Sequence, residues 1–231
     1  MTTHSNITDD MTDTTSDKIT VWGIGSTRAM RVHWTLLEFG IDYEVRPIRS
    51  RTGETQTEEF GRLNPKRKIP VLCHGPLVLS ESAAIVGYLT ETFEPPADFF
   101  VPPDAAQRAK LNEWCFFVMT ELDAHSLYLI RRHDGLKEIY GAAPEAVASA
   151  REYFLKQINA VADEIGAAGT YLMGDTLSIA DIILMTCLDW AIMYEIRLPQ
   201  ALRAYHERVA VRPKYQQAMR LNYPEKYTKN A

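Results

Sequence analysis

A proline-rich segment separates two parts of the chain whose apolar residues follow different spacings. Four of the twelve prolines lie between Pro95 and Pro103, and proline interrupts helices and sheets alike. Before this segment, short β-branched and aromatic runs alternate with helical patterns, whereas after it apolar residues recur at steps of three and four. The sequence therefore predicts one unit at 19–93, a linker at 94–104 and a second unit at 105–231.

The first unit is predicted to be an α/β domain with the order β-α-β-α-β-β-α. Its predicted elements are a strand at 19–22, a helix at 28–39, a strand at 43–48, a short helix within 50–59, strands at 69–73 and 77–79, and a helix at 82–93. Gly40 is placed to end the first helix, and a Gly-Pro turn at 74–76 joins the last two strands as a hairpin. Strands joined through a helix pair in parallel, and the two strands of a hairpin pair antiparallel. The pattern therefore predicts a mixed sheet.

The second unit is predicted to be all-helical. Its predicted helices cover 105–133, 144–166, 179–196 and 200–211, and a last helix follows Pro213. Ser178 can cap the third of these helices, and Asp181 can return a hydrogen bond to the backbone of the cap. That helix is apolar on nearly all sides but carries two aspartates, which favours a central core helix over a membrane span.

The chain begins with residues 1–18, in which Thr, Asp and Ser dominate. No apolar stretch follows a positive start, and the segment is too acidic for a mitochondrial presequence, so we expect a disordered, solvated tail. The sequence leaves open whether Met11 is the true initiator.

The net charge and the cysteine content indicate which partners the protein binds and in which cellular compartment it is located. A formal net charge of −5 gives no broad positive field for nucleic acid, and no segment predicts a membrane span, so we expect neither partner. The three cysteines, Cys73, Cys115 and Cys187, lie far apart, which is atypical of a disulfide framework or a zinc site. We therefore expect no bound metal, buried cysteines and a reducing, cytoplasmic location.

Several motifs occur in the order found in cytosolic glutathione transferases. The segment at 63–72, LNPKRKIPVL, resembles the NPxxKVPVL segment of that family, and 79–85, LSESAAI, resembles its strand-to-helix turn. The segments at 178–181 and 212–215 resemble its capped central helix and its C-terminal stretch. The chain is most similar to the serine-type members of the family, which include the theta and zeta classes and bacterial members like them. The resemblance covers about residues 19 to 222. It implies a thioredoxin-like domain that binds glutathione, followed by a helical domain that carries the electrophile site.

The resemblance assigns two pairs of residues to the cysteinyl and γ-glutamyl parts of glutathione. It implies a cis peptide bond before Pro70, so that the backbone of Ile69 pairs with the cysteinyl part; a trans proline at a strand start is the alternative. Glu81 and Ser82 come where a strand feeds a helix, and free N–H groups at a helix N-terminus hold a carboxylate. Glu81 adds a negative charge for the α-ammonium group. The alternative is an ordinary serine cap.

A short basic run precedes this proline and is assigned, by the resemblance, to the glycine end of glutathione. Lys68 is placed at the glycine carboxylate, and Lys66 is a second candidate. Thr55 and Gln56 lie in the segment that, in the family, often helps to bind the glycine end of glutathione. The alternative is a solvated loop.

The loop at 23–28 is the segment in which the family places its sulfur-activating residue. A free thiol has a pKa of about 8.5, and lowering it by about two units takes roughly 2.7 kcal/mol, which one hydrogen bond to the thiolate and a helix N-terminus can supply. The loop contains neither Tyr nor Cys, and Ser26 matches the spacing of the serine-type members. Thr27 is the second candidate, and a purely structural helix cap is the alternative role for Ser26.

Arg28 is unusual at its position, where the family often has a small or polar residue. Its guanidinium could lower the pKa of the bound thiol further, or bind an acidic substrate. It could instead pair with Glu38 or Asp42.

The electrophile is expected to contact the first long helix of the second unit. Candidate wall residues on that helix are Trp114, Phe117, Glu121 and Tyr128, and Trp190 and Tyr194 are candidates on the central helix. The alternative is that this aromatic stripe belongs to the core. Two histidines, His125 and His133, could act as bases, although lone helix histidines usually do not.

The sequence therefore predicts a glutathione transferase that uses glutathione as co-substrate, without a further cofactor, on a small and mostly hydrophobic electrophile. The same thiolate could reduce organic peroxides. The alternatives are a non-catalytic, partner-binding member of the fold and a thiol-disulfide reductase, which the lack of cysteine in the 23–28 loop disfavours. By resemblance we expect a homodimer.

Overall fold

The first part of the chain forms a four-stranded sheet in the order β2-β1-β3-β4 with three helices. The computed structural model describes residues 18–227, so the predicted tail lies outside the described residues except for Lys18. The elements are β1 (Ile19–Trp22), α1 (Thr27–Glu38), β2 (Tyr43–Arg46), a 3₁₀ turn (Glu54–Gln56), α2 (Glu58–Leu63), β3 (Val71–His74), β4 (Leu77–Ser80) and α3 (Ser82–Thr92). The predicted order and mixed sheet are confirmed.

The sheet is centred on β1, whose side chains define the register. Val21 lies opposite Val45 of β2 in a parallel pair and opposite Leu72 of β3 in an antiparallel pair. Val21 and Leu72 are fully buried. β2 ends at Arg46, earlier than predicted, because Pro47 has no N–H to continue the ladder. Gly40 has a φ of +63°, as expected of the residue that follows a helix end.

The second part of the chain is helical, as predicted. Its elements are α4 (Ala105–Phe117), α5 (Tyr128–Ile130), α6 (Lys137–Tyr140), α7 (Pro144–Ala160), α8 (Ala162–Ala167), α9 (Ile179–Met193), α10 (Gln200–Ala210), α11 (Pro213–Asn222) and a 3₁₀ turn (Pro224–Lys226). Two π-helical stretches, Val118–Leu127 and Arg131–Gly135, flank α5. The predicted helix at 144–166 is divided at Val161, where no proline or glycine signals a break, and α6 was not predicted.

α9 is the central helix of the second part. Ser178 and Asp181 form the predicted capping box: the Ser178 hydroxyl caps the helix and the Asp181 carboxylate accepts from the Ser178 N–H at 2.8 Å. The same carboxylate accepts from the Tyr205 hydroxyl at 2.6 Å. Most of the helix is buried, as predicted for a core helix. None of the described helices is long and apolar enough to cross a membrane.

One hydrophobic cluster crosses between the two parts of the chain and fixes the position of α1. Met30 and Trp34 of α1 are buried in the same cluster as the side chains of α9 and α11. The ring of Trp34 packs edge-on against Tyr215 of α11, with 5.0 Å between centroids. The N-terminal end of α1 is therefore held against the helical part, and the cleft described next opens at this junction.

Candidate active site

A cleft that is open to solvent lies between the two parts of the chain. The loops after β1 and β2 and the loop before β3 line one side, and Tyr128, Arg131, Tyr140 and Trp190 line the other. Five of the lining side chains are cationic: Arg28, Arg51, Arg67, Lys68 and Arg131. Among the described residues, no carboxylate lines the cleft.

Ser26 lies at the cleft wall and caps α1. Its hydroxyl oxygen accepts a hydrogen bond from the Ala29 N–H at 3.0 Å. Ser26 therefore does cap the helix, which was the alternative role considered for it in the sequence analysis. A hydroxyl that accepts through its oxygen keeps its own hydrogen for donation, so capping does not exclude a second contact.

The loop that carries Ser26 is held by the last helix of the chain. The buried amide of Asn222 donates to the Ser26 carbonyl at 3.0 Å and accepts from the Gly25 N–H at 3.1 Å. Gly23 has a φ of +119°, and a Cβ there would lie 2.6 Å from the Cβ of Ile69. The glycine permits both the left-handed backbone and the close approach of the two loops. Asn222 was missed by the sequence analysis, because its partner lies almost two hundred residues away.

Thr27, the second candidate for contact with sulfur, also lines the cleft. Burial raises the pKa of the neighbouring Tyr223 to about 12, and the Thr27 hydroxyl partly opposes that rise. The Thr27 hydroxyl therefore lies on the side of Tyr223, whereas the Ser26 oxygen accepts from the backbone of α1.

His33 fixes the backbone of the same loop. Its Nε2–H donates to the Gly23 carbonyl at 2.9 Å, which leaves Nδ1 to accept from the Tyr43 hydroxyl at 3.1 Å. Burial lowers the pKa of His33 to about 4. The neutral ring is therefore the form that the folded chain accommodates.

This shift predicts a pH dependence of stability. Between the folded pKa of about 4 and the unfolded value of 6.5, the unfolded chain binds more protons at this position, so stability is complete above pH 6.5 and falls as the pH drops. We expect the free energy of unfolding to fall by about 2 kcal/mol from pH 7 to pH 5 because of His33. Urea titrations at both pH values would measure it, with His33→Gln as the control that lacks the titrating group. An equal loss in both proteins would contradict this assignment.

Arg28 lines the cleft, but its predicted partners were wrong. It pairs with Asp123 of the first π-helical stretch, through both Nη2 and Nε. Glu38 instead binds Arg212, whose Nη2 lies 2.8 Å from the carboxylate. The Arg28 side chain lies 4.8 Å over the ring of Tyr128. Spacing along α1 had suggested Glu38 and Asp42, whereas packing of the two parts brings a more distant carboxylate to this face.

Asp123 joins two arginines in a cluster at the junction of the two parts of the chain. The second is Arg31, fully buried like Asp123, whose Nη2 donates to the carboxylate at 2.7 Å. Burial alone would raise the pKa of Asp123, but the two guanidinium groups outweigh it and the pKa lies below its ordinary value. Two positive charges and one negative charge therefore lie beside the N-terminal end of α1. The sequence analysis missed this cluster.

The loop before β3 brings the predicted Lys68 and Ile69 to the cleft. The Ile69–Pro70 peptide bond is cis, as predicted. Asn64 shapes the basic run, since its amide donates to the Lys68 carbonyl at 2.8 Å. Lys68 lies beside Tyr128: burial would raise the pKa of that tyrosine, but Lys68 and two arginines outweigh burial and lower it. Pro70 itself is buried behind the lining.

The other predicted glutathione-binding residues are only partly brought together. Thr55 and Gln56 line the cleft, whereas Glu81 and Ser82 at the start of α3 do not. Glu81 is exposed and forms an ion pair with Lys66, the second lysine candidate, at 2.6 Å. Ser82 is buried, and its hydroxyl accepts from Arg31 Nη1 at 3.1 Å.

The predicted electrophile wall needs correction. Trp114 is buried in the core, Phe117 packs against that core, and half-buried Glu121 accepts from Tyr153 and from Thr120. None of the three lines the cleft. The π-helical turns after Phe117 change which side chains face the cleft, and these are Tyr128 and Arg131.

The remaining aromatic and histidine candidates divide in the same way. Trp190 lines the cleft, whereas Tyr194 does not. His125 packs against Tyr153, with 4.9 Å between ring centroids, and the Nδ1 of His133 lies 2.9 Å from the Gly141 carbonyl, so neither faces the cleft. The lining residues that the sequence analysis missed are Ser50, Arg51, Arg67, Arg131 and Tyr140.

Two of the three cysteines are buried, as predicted, whereas Cys73 is only half-buried. Cys115 and Cys187 are buried, and burial raises the pKa of each thiol to about 12; burial also raises the pKa of half-buried Cys73. All three are therefore protonated at neutral pH. Within residues 18–227, no group of three His, Cys, Asp or Glu side chains is placed to hold a metal ion.

Comparison with known proteins agrees with this architecture. The family model for the glutathione S-transferase N-terminal domain matches residues 17–91, and the model for the C-terminal domain matches 117–213. A probable maleylacetoacetate isomerase from Vibrio cholerae is 30% identical over 206 residues, covering 87% of this chain and 94% of that protein. Glutathione S-transferase 1 from Dianthus caryophyllus is 33% identical over 160 residues, covering 69% and 70%.

A solved structure extends the match. The theta class glutathione S-transferase from Xanthomonas axonopodis pv. citri, with glutathione bound, has a TM-score of 0.74 and 26% identity, covering 88% of this chain and 97% of that one. Both domain models match in the order of the fold, and relatives match across most of their own length. The chain belongs to the glutathione S-transferase family of enzymes.

Proposed function

We propose that this transferase binds glutathione in the cleft and that the Ser26 hydroxyl donates a hydrogen bond to its sulfur, which keeps the thiol ionised. The observation that carries the proposal is the bonding of Ser26: its oxygen already accepts from Ala29, so its hydrogen is available at the N-terminus of α1. The partial positive charge of a helix N-terminus favours an anion there. Thr27, whose hydroxyl lies on the side of Tyr223, is the second candidate.

Arg28 and its neighbours support the same chemistry electrostatically. Arg28 and Arg31 share one carboxylate, so one positive charge at this end of α1 is left uncompensated. A positive potential beside a thiol lowers the thiol pKa. We assign Arg28 to this electrostatic role and Ser26 to the direct contact.

The other binding residues are assigned to the two ends of glutathione. The backbone of Ile69 pairs with the cysteinyl part, and Lys68 binds the glycine carboxylate with help from Thr55 and Gln56. Ser82 and the N-terminus of α3 hold the γ-glutamyl carboxylate, and Glu81 holds the ammonium group. Because Glu81 is paired with Lys66, binding would exchange one ammonium group for another.

The two lysines of the basic run test this assignment against a matched control. Lys68→Met is expected to raise the KM for glutathione about tenfold, because it removes a charged hydrogen bond. Lys66→Met makes the same chemical change outside the cleft and frees Glu81, so it is expected to leave that KM unchanged or to lower it by less than about threefold. Steady-state kinetics with varied glutathione would measure both. A larger effect of Lys66→Met would reverse the assignment.

The electrophile occupies the remaining part of the cleft, against Tyr128 and Trp190. We propose a small electrophile whose hydrophobic body contacts these rings. The same thiolate would also attack an organic peroxide: sulfur forms a bond to the terminal oxygen, the O–O bond breaks, and the alcohol leaves after protonation. The resulting sulfenic acid of glutathione then reacts with a second glutathione to give the disulfide and water. The high pKa values of Cys115 and Cys187 oppose a reductase that uses an enzyme thiol.

Glutathione binding separates this proposal from a non-catalytic, partner-binding role. We expect calorimetry to give heat with millimolar glutathione, and the bound complex to conjugate an activated aryl halide. Binding without conjugation would favour the non-catalytic alternative.

We further propose a cytoplasmic homodimer with a glutathione-binding domain at 19–93 and an electrophile-binding domain at 105–231. An apolar groove between α3 and α4 supports the dimer, since it is lined by Ala83, Gly87 and Phe116, and Phe116 is 67% exposed. Large exposed apolar surface often marks an interface. Sedimentation equilibrium would measure the mass, and a monomer at micromolar concentration would contradict the proposal.

A further inference from the structure

Two guanidinium groups face the cleft from opposite parts of the chain without an acidic partner. Arg51 lies in the loop after β2, and Arg131 begins the second π-helical stretch. Among the described residues, neither forms a salt bridge. Arg51 Nη1 donates to the neighbouring Ser50 hydroxyl at 3.0 Å, but Arg51 Nε is buried without a hydrogen-bond partner. Burial lowers the pKa of Arg131, and the positive charge of Arg51 also lowers it. Two cations that line one cleft without an acidic partner favour the binding of an anion there.

The other cations of the cleft already have partners or an assigned role. Arg28 is paired with Asp123, and the Arg67 guanidinium is directed to the backbone of the first part of the chain, where it donates to the Thr57 carbonyl at 3.0 Å and packs against Gly61. Lys68 lies at the loop before β3, on the side assigned to glutathione. Arg51 and Arg131 therefore remain for the second substrate.

Aromatic rings accompany both of these arginines. The Arg51 guanidinium lies 5.8 Å from the centroid of Tyr140, and that of Arg131 lies 5.7 Å from the centroid of Trp190. A guanidinium stacked on a ring keeps its N–H groups available at the edge, where they match a carboxylate. The rings themselves offer flat apolar surface to a planar molecule.

We propose that the electrophile of this enzyme carries a carboxylate on a planar aromatic body, that Arg51 and Arg131 bind the carboxylate, and that Tyr140 and Trp190 contact the body. This rests on the proposed function, because it assigns the glutathione thiolate as the attacking group. With an aryl chloride, the sulfur forms a bond to the ring carbon, the carbon–chlorine bond breaks, and chloride leaves with the electron pair. Nothing is oxidised or reduced.

A matched pair of substrates tests the proposal: 4-chloro-3,5-dinitrobenzoate and its methyl ester, each with saturating glutathione. We expect the KM of the wild-type enzyme to be about tenfold lower for the acid. Arg51→Gln and Arg131→Gln are each expected to raise the KM for the acid about 10- to 100-fold and to change that for the ester less than about threefold. Arg62→Gln on exposed α2 removes the same charge outside the cleft and is expected to change neither.

A binding measurement distinguishes failure of this inference from failure of the proposed function. Calorimetry with 3,5-dinitrobenzoate and its methyl ester, which have no leaving chloride, reports affinity without turnover. Tighter binding of the acid that both arginine variants abolish supports the inference, even if no substrate is conjugated and the proposed function fails. Equal affinity for acid and ester overturns the inference, even if the ester is conjugated. A rise in the KM for glutathione in the arginine variants, with the acid unaffected, would assign both arginines to glutathione and also overturn it.

Discussion

Replacing Ser26 with alanine is expected to lower kcat/KM for conjugation about 10- to 100-fold near pH 6.5. The hydroxyl is the proposed donor to the thiolate, and a hydrogen bond to a charged group contributes about 1.5–3 kcal/mol. Without it the pKa of bound glutathione rises toward the free value of about 8.5, so a smaller fraction is ionised. The loss should shrink as the pH increases, because glutathione then ionises unaided. Initial rates across a pH series would measure it.

Three further variants separate this role from helix capping. Ser26→Gly removes the hydroxyl but costs the cap only a few tenths of a kcal/mol, whereas Ser26→Ala costs about 1 kcal/mol. Both should lose the same activity if donation matters. Ser26→Thr restores a hydroxyl and should recover part of the rate. Thr27→Ala should retain most of the wild-type rate. A larger loss of rate in Thr27→Ala than in Ser26→Ala would move the assignment to Thr27.

Replacing Asp123 with asparagine is expected to lower the free energy of unfolding by about 3–5 kcal/mol. The variant leaves two guanidinium groups beside each other, one of them fully buried, without a counter-charge. Domains of this kind are stable by only about 5–15 kcal/mol, so the loss is a large fraction of the total. Urea unfolding followed by circular dichroism would measure the change.

An exposed ion pair provides the matched control for Asp123. Glu113 accepts from Lys110 at 2.7 Å on the surface of α4, away from the proposed dimer groove, and both side chains are about half exposed or more. Glu113→Gln makes the same carboxylate-to-amide change and is expected to stay within about 1 kcal/mol of wild type. Equal losses in the two variants would mean that the Asp123 cluster does not stabilise the junction.

Features decided by neighbouring residues were predictable from the sequence. The capping box of Ser178 and Asp181 needs only a serine, an aspartate three positions later and an apolar run, and the structure contains it. The strand at 19–22 and the helix end at Gly40 follow from equally local signals. The loop motifs also brought Ser26 and Lys68 to one cleft, because a family resemblance carries the spacing between loops.

Features decided by contacts between distant segments were not predictable. Asp123 meets Arg28 across 95 positions, and Asn222 meets Ser26 across 196. A helical period of 3.6 residues placed Phe117 and Glu121 in the pocket, but the chain continues in wider π-helical turns, and the facing side chains change. Arg51 and Arg131 carry no motif, since their significance lies in facing each other across the cleft.

The most direct test of the account is the pKa of glutathione bound to the enzyme. Titration of the ultraviolet absorbance of the thiolate, with the Ser26→Ala complex as reference, would measure it. We expect bound glutathione to ionise about two units below the free value of about 8.5, and most of that shift to disappear in the variant. A bound thiol that titrates like free glutathione, or an identical value in both complexes, would contradict the proposed role of Ser26.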